Sequence, residues 1–323
     1  MTKLLARYQQ PDDEEGPEPL GALCLLPGGR LAANGTRHVF VWSRASAELL
    51  EIHETTAICR DGYPDFQLAY DPGLGRLAEG HEIRSFALWD LAAWERLLVF
   101  EGHTESVRAV AFIGEDQVLS ISGDSSIRRW DAWSGECLQV VATHPLYALA
   151  DDPTGGRVAV AGGQGHVYVF DRETLALRAE HVLELAVAEH APLGEDERRR
   201  IGIVWNRPST TIRALAWHPD GEHLLCGSAD FVPKMIHAKT GRCVRRWLGH
   251  AHWVDAIAVD AEGGRLVTGS SDHTVRVWDL HTERCLEVFE LPRPEIEDVL
   301  VSEGEILAVC GGAVFSLPLP SPA

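Results

Sequence analysis

Apolar and polar residues alternate with period two along most of the chain, in short runs separated by turns rich in Gly, Asp and Pro. A period of two places every second side chain on one face, so each run predicts a strand with one face on a core. The pattern is cleanest at 249–279, GHAHWVDAIAVDAEGGRLVTGSSDHTVRVWD, which holds three such runs. Aligned on Trp278, the pattern recurs at 22–42, 66–90, 102–131, 146–171, 212–237 and 296–317. The segments end at Trp42, Trp89, Trp130, Phe170, Ile236, Trp278 and near Leu317, so successive ends lie 47, 41, 40, 66, 42 and 39 residues apart. Five of these spacings describe one repeat, and the sixth carries about 25 extra residues, an insertion placed at 181–210. Such a series predicts an all-β repeat protein.

The seventh segment supplies three strands and the sequence leaves no room after it for a fourth. An orphan run, Lys3-Leu4-Leu5-Ala6-Arg7-Tyr8, precedes the first segment and can supply the missing edge. Residues 9–19, QQPDDEEGPEP, then read as a solvated acidic connector.

Charge and cysteine usage narrow the partners. The 323 residues carry a formal net charge of −19, which repels nucleic acid and anionic lipid surfaces, so neither is an expected partner. Seven cysteines stand at 24, 59, 137, 226, 243, 285 and 310, without a C-x-x-C pair. An odd number, and no N-terminal stretch resembling a signal peptide, predict reduced thiols and a cytoplasmic location. Cys137, Cys243 and Cys285 recur in GECL, GRCV and ERCL and are expected to be packing residues at the start of a fourth strand. No apolar run reaches the ~18 residues of a membrane helix.

The Gly249-His250 entry and Trp278-Asp279 exit, repeated as Gly102-His103 and Trp130-Asp131, resemble the WD40 repeat. That resemblance implies a single seven-bladed WD40-type β-propeller over 1–323, closed by an N-terminal strand pairing with the last blade. It also implies a structural hydrogen-bonded chain in each full repeat. In this sequence the matching residues are His103, Ser120, Asp124 and Trp130, and His250, Thr268, Asp272 and Trp278. The remaining blades depart from the pattern. Blade five has Cys226, Asp230 and Ile236 at the corresponding places, blade four Gln164 and Phe170, and blade one Thr36 and Trp42 without a Gly-His. These blades are expected to rely on apolar packing alone.

A search for catalytic chemistry finds little. SGDSS at 122–126 lacks the strand–elbow–helix context of a serine hydrolase, and GGQG at 162–165 lacks the helix a phosphate cradle needs, so it reads as a tight turn. His250-Ala251-His252 is the closest histidine pair, but the spacing places no third ligand and the other histidines are dispersed. Glu295 and Glu297 read as solvated loop carboxylates. The expectation is a protein with no catalytic residue, no metal and no cofactor.

What remains is surface. In WD40 proteins the first residues of the first strand of each blade project onto the face where partners dock. Here that resemblance implies Gln67, Arg108, Tyr147, Arg213, Asp255 and Glu297, and two positions earlier Asp65, Trp253 and Glu295. Arg, Tyr and Trp are the types enriched at binding hot spots, and Trp253 is expected to be an exposed aromatic. The implied function is a non-catalytic scaffold or adaptor that binds a protein or peptide on this face, within a complex. The alternatives are a propeller that senses a small molecule or metal and, further off, a propeller enzyme with a site at the channel mouth.

Overall fold

The alternating runs fold as antiparallel sheets. A computed structural model describes residues 6–10, 17–55, 68–80, 84–114, 116–184, 209–293 and 295–320. Strand β1 is Ala6–Gln9. Blade one is β2 to β5, Leu23–Leu26, Arg30–Asn34, His38–Ser43 and Leu49–Glu54. Blade two is β6 to β9, Ala69–Asp71, Arg76–Gly80, Phe86–Asp90 and Glu95–Phe100. Blade three is β10 to β13, Val107–Ile113, Gln117–Ser122, Ser126–Asp131 and Cys137–Ala142. Blade four is β14 to β17, Leu146–Asp151, Arg157–Gly162, His166–Asp171 and Leu177–Val182. Blade five is β18 to β21, Ile212–Trp217, His223–Ser228, Lys234–His237 and Cys243–Arg246. Blade six is β22 to β25, Val254–Asp260, Arg265–Ser270, Thr274–Asp279 and Cys285–Glu290. Blade seven holds β26 to β28, Ile296–Ser302, Glu305–Cys310 and Ala313–Pro318.

Six sheets keep their strands in chain order, and the seventh runs β1-β28-β27-β26. These are the seven blades of a WD40-type β-propeller, the last completed by the N-terminal strand. Ala6 pairs with Ser316 and Gln9 with Ala313, so β1 takes the place of the missing fourth strand. Residues 3–5 of the expected run lie outside the described residues.

Burial follows position within a blade. The second and third strands are covered on both faces, as in β23, where all six residues are buried. The fourth strands β5, β13 and β21 alternate half-buried and exposed, the pattern of a strand with one wet face. In six blades the register slips at one place, between the residue before the third-strand aromatic or isoleucine and that residue itself: Val41/Trp42, Leu88/Trp89, Arg129/Trp130, Val169/Phe170, Met235/Ile236 and Val277/Trp278. A bulge bends its strand and raises the local twist, and its recurrence here gives the fourth strands a common departure. Cys137, Cys243 and Cys285 each open a fourth strand one residue before this bulge and are half-buried. GGQG at 162–165 is a short 3-10 turn between β15 and β16.

The chain divides into two compact units, Lys3–Leu149 with Leu307–Leu317, and Ala150–Ile306 with the extreme terminal residues. In the first unit β1 also serves blade one. Trp42 Nε1 donates to the Gln9 carbonyl at 3.1 Å, and the Tyr8 hydroxyl donates to the Arg44 carbonyl at 3.2 Å. Tyr8 is buried edge-on against Trp42.

Three blades correct the expectation of apolar packing alone. In blade one, Glu18 belongs to the stretch read as a solvated connector, yet it is 6% exposed. Its Oε1 lies 2.5 Å from His38 Nδ1, and its Oε2 accepts from Arg37 N at 2.9 Å and Thr36 Oγ1 at 3.1 Å. Burial raises its pKa, but the His38 and Arg37 hydrogen bonds outweigh that and hold the carboxyl below the ordinary value. In blade five, Asp230 and Lys234 form a buried ion pair, and Lys234 Nζ also reaches Ser228 Oγ at 3.3 Å. Charged groups this deep persist because they are paired.

Blade two holds a third departure. Leu77 pairs with Trp89 as Leu266 pairs with Trp278, so Glu79 occupies the register position of Thr268. Glu79 is 2% exposed, and burial pushes its carboxyl pKa up to about 8 although Thr55 and Trp89 beside it favour ionisation. The folded pKa stands above the unfolded one, so this stabilisation is complete below pH ~4.5 and disappears as pH rises through about 8. Replacing Glu79→Gln is therefore expected to leave stability near pH 4.5 little changed. By pH 8.5 the variant should gain on the order of 4 kcal/mol over the parent. Urea unfolding of both proteins across this range checks it; parallel pH profiles would overturn the assignment.

Candidate functional site

The Gly-His and Trp-Asp motifs converge within blades three and six. In blade six, Trp278 Nε1 donates to Thr268 Oγ1 at 2.9 Å, Thr268 Oγ1 lies 2.7 Å from His250 Nε2, and His250 Nδ1 lies 2.8 Å from Asp272 Oδ2. Blade three repeats this with Trp130 to Ser120 at 2.8 Å, Ser120 to His103 at 2.7 Å and His103 to Asp124 at 2.8 Å. The direction of donation follows from the inventory. An indole can only donate, so the hydroxyl passes its own hydrogen to the imidazole Nε2 and the Nδ1–H goes to the carboxylate. Burial opposes ionisation of Asp272, but His250 and the hydrogen bonds from Thr274 and Ala251 N hold its pKa well below the carboxylate range. Both ring nitrogens of His250 are engaged in this chain, and His252 packs instead against Phe231 and Trp253.

Sequence reasoning missed the fifth member of each chain. Arg128 and Arg276, four residues after the aspartate, lie over the rings of Trp130 and Trp278 at 5.9 and 5.8 Å. They also explain the leading glycine. Gly102 and Gly249 have φ of 144° and 153°, and a Cβ there would fall 2.7 and 2.5 Å from an arginine Nη1. Lys234 stands in the same register as Arg276, opposite Cys226 as Arg276 is opposite Thr268. The spacing Asp-x-x-x-Arg/Lys was the signal that could have found all three.

The surface residues are organised by a second bulge. In blades three, five and six the register of the first strand slips between Val107/Ala109, Ile212/Ala214 and Val254/Ala256. The extra residues are Arg108, Arg213 and Asp255. A bulge re-aims the side chain it carries, and here it does so at one position in three blades.

In the Ala150–Ile306 unit, Arg213 Nε pairs with Asp255 Oδ1, and its guanidinium lies 4.8 Å from the Trp253 ring centroid. Asp255 Oδ2 accepts from Ser271 Oγ at 2.5 Å and Ser271 N at 3.1 Å, so this carboxylate is committed on both oxygens. Trp253 was expected to be exposed; it is half-buried, held between Arg213 and His252. Burial lowers the His252 pKa, favouring a neutral ring. Glu295 is exposed, and Glu297, expected in a loop, lies within β26 and is half-buried.

In the other unit Arg108 lies over Tyr147, 5.4 Å from the ring centroid. Asp65 and Gln67 lie outside the described residues, as does 185–208, most of the 181–210 insertion. No helix among the described residues is long and apolar enough to cross a membrane.

Three segments, 94–131, 203–235 and 241–279, match the family model of the WD domain, G-beta repeat. With the seven four-stranded blades, these matches show WD40 repeats within a seven-bladed β-propeller. Among its relatives is the nuclear distribution protein PAC1-2 of Uncinocarpus reesii, 28% identical over 197 residues, 55% of this chain and 41% of that protein. THO complex subunit 3 of Arabidopsis thaliana is 24% identical over 229 residues, 69% of this chain and 65% of the relative. Striatin-3 of Homo sapiens is 25% identical over 208 residues, 61% of this chain and 24% of the relative. The chain thus spans less than two thirds of the length of each.

Trp278 is fully buried and its indole N–H begins the blade-six chain. Trp278→Ala is expected to destabilise by ~3–5 kcal/mol, since the truncation opens a cavity and leaves the Thr268–His250 pair without its donor. Denaturant unfolding measures it, and a loss under about 1 kcal/mol would deny the chain its structural role.

Proposed function

We propose that this protein is a non-catalytic interaction scaffold that binds a protein or peptide through the first-strand bulge residues. The observation that carries the reading is the bulge itself. It recurs in three blades and each time presents a charged residue, Arg108, Arg213 or Asp255. None of the three belongs to the buried chains that hold blades three and six together. Arg213 keeps 40% of its side chain exposed while stacked on Trp253, a pairing of a delocalised cation with a large amphipathic ring that suits a docking anchor.

Asp255 sets the orientation of that anchor. Fixed by Ser271 on one oxygen, it holds the guanidinium with the other. An anchor ordered before binding loses less side-chain entropy when a partner arrives. The net charge of −19 favours a partner surface with basic or neutral character around an acidic or carbonyl-rich contact for Arg213. Glu295, Glu297 and, in the other unit, the Arg108–Tyr147 pair extend the reading, and sequence alignment adds Asp65 and Gln67. Relatives named as a THO complex subunit and as nuclear distribution proteins support work within an assembly. A cytoplasmic location remains part of this reading.

The test is capture of partners from native cell extract by the tagged chain and by the Arg213→Ala, Trp253→Ala double variant. The parent is expected to retain a stoichiometric protein that the variant loses, with both proteins folded by circular dichroism and melting within a few degrees of each other. Equal capture by the two would remove the first-strand face from consideration.

A further inference from the structure

The turn between β18 and β19 brings together side chains that the surface reading does not use. Its sequence is His218-Pro219-Asp220-Gly221-Glu222-His223. His218 and His223 face each other across the base of the hairpin, where His218 N donates to the His223 carbonyl at 2.9 Å. Asp220 fills the turn between them. Its Oδ1 accepts from Glu222 N at 2.7 Å and His223 N at 3.1 Å, which fixes the carboxylate plane. Its Oδ2 is then aimed at both rings, 2.9 Å from His218 Nδ1 and 2.8 Å from His223 Nδ1. The three donor atoms lie within 4.8 Å of one another.

Asp220 N also lies 3.2 Å from His218 Nδ1, so the turn backbone as well as the carboxylate holds that ring in place. The nearby cation is already balanced: Arg157 is paired with Asp152 at 2.6 Å. His237, opposite His223 on the next strand, packs edge-on to it with ring centroids 5.4 Å apart, and limits how that ring can turn.

We propose that this hairpin is a divalent transition-metal site of the zinc class, with His218 Nδ1, His223 Nδ1 and Asp220 Oδ2 as its protein ligands. Two imidazoles and a carboxylate suit a borderline ion, and three protein ligands leave a fourth position to solvent. Tetrahedral bonds of ~2.1 Å set ligand atoms roughly 3.4 Å apart, reached here by opening the present contacts by about half an ångström. Oδ1 and its two backbone donors are the outer contacts that hold a ligating carboxylate in place. Arg213 lies near the start of β18 and His218 just past its end, five residues or roughly 17 Å apart, so the metal site is separate from the proposed docking face.

The experiment is calorimetric titration of the full, chelator-treated chain with Zn2+ at neutral pH. It is run beside His218→Gln with His223→Gln and, separately, Asp220→Asn, which can keep the Oδ1 contacts while removing the charge. The parent is expected to bind one more equivalent of Zn2+ than the double variant, and Asp220→Asn to bind that equivalent at least ~10-fold more weakly. Zn2+ should also raise the melting temperature of the parent and not of the double variant, a readout independent of stoichiometry. Equal stoichiometry and affinity in parent and double variant, or no stoichiometric binding by the parent, would overturn the proposal. Partner capture unaffected by Zn2+ removal is expected, so failure here leaves the scaffold reading standing.

Discussion

A buried indole N–H has to find an acceptor, and in blades three and six this constraint orders everything around it. Trp130 and Trp278 can only donate, so a hydroxyl must lie on the second strand, an imidazole beyond it, and a carboxylate beyond that. The carboxylate comes from the turn between the second and third strands, and the imidazole from the segment entering the first. One chain of hydrogen bonds therefore ties the blade's entry to its middle. The arginine over the indole covers the remaining face and leaves room for no side chain at the preceding residue, hence Gly102 and Gly249.

Blades one, five and two depart from this chain, each with different chemistry. Blade one exchanges the two ends: the carboxylate, Glu18, comes from the entering segment, while Thr36 comes from the turn and His38 from the start of β4. Its indole, on Trp42, is satisfied from outside the blade's own four strands by the Gln9 carbonyl of β1. Blade five discards indole, hydroxyl and imidazole and keeps the two charges, Asp230 with Lys234. Blade two replaces the hydroxyl by a carboxyl group that burial keeps protonated.

How much of this could be read from the chain alone follows from which interactions are local. Alternation and the Trp spacing are local, and the seven repeats were legible from them. The closing strand and the hydrogen-bond chains came through the resemblance to WD40 repeats, the chains because their members recur at fixed offsets in two segments. Glu18 was misread because its partners lie across a turn, about 20 residues away, and its own neighbours are Pro, Glu and Gly. Lys234 was missed because a lysine near a strand ordinarily reads as solvent-facing, and only register with Arg276 assigns it to a buried position. For the surface, sequence alignment picked out Arg108, Arg213 and Asp255, but neither the bulges that carry them nor the pairing of Arg213 with Asp255 across two blades has a sequence signature. His218 and His223 looked dispersed for the same reason: five residues apart in the chain, they meet only once the hairpin closes.

The pairing of β1 with β28 couples segments about 300 residues apart, the largest sequence separation of any strand pair described here. During synthesis β1 emerges ahead of every other described strand and its partner emerges after nearly all of them. Until then its backbone N–H and C=O groups have no ladder, and blade one lacks the carbonyl that accepts from Trp42. The last contact to form is thus also the slowest to find, because its loop-closure entropy is the greatest. Until that pair forms, the open edge of the last blade is a site for mispairing, so shielding it during synthesis protects the fold.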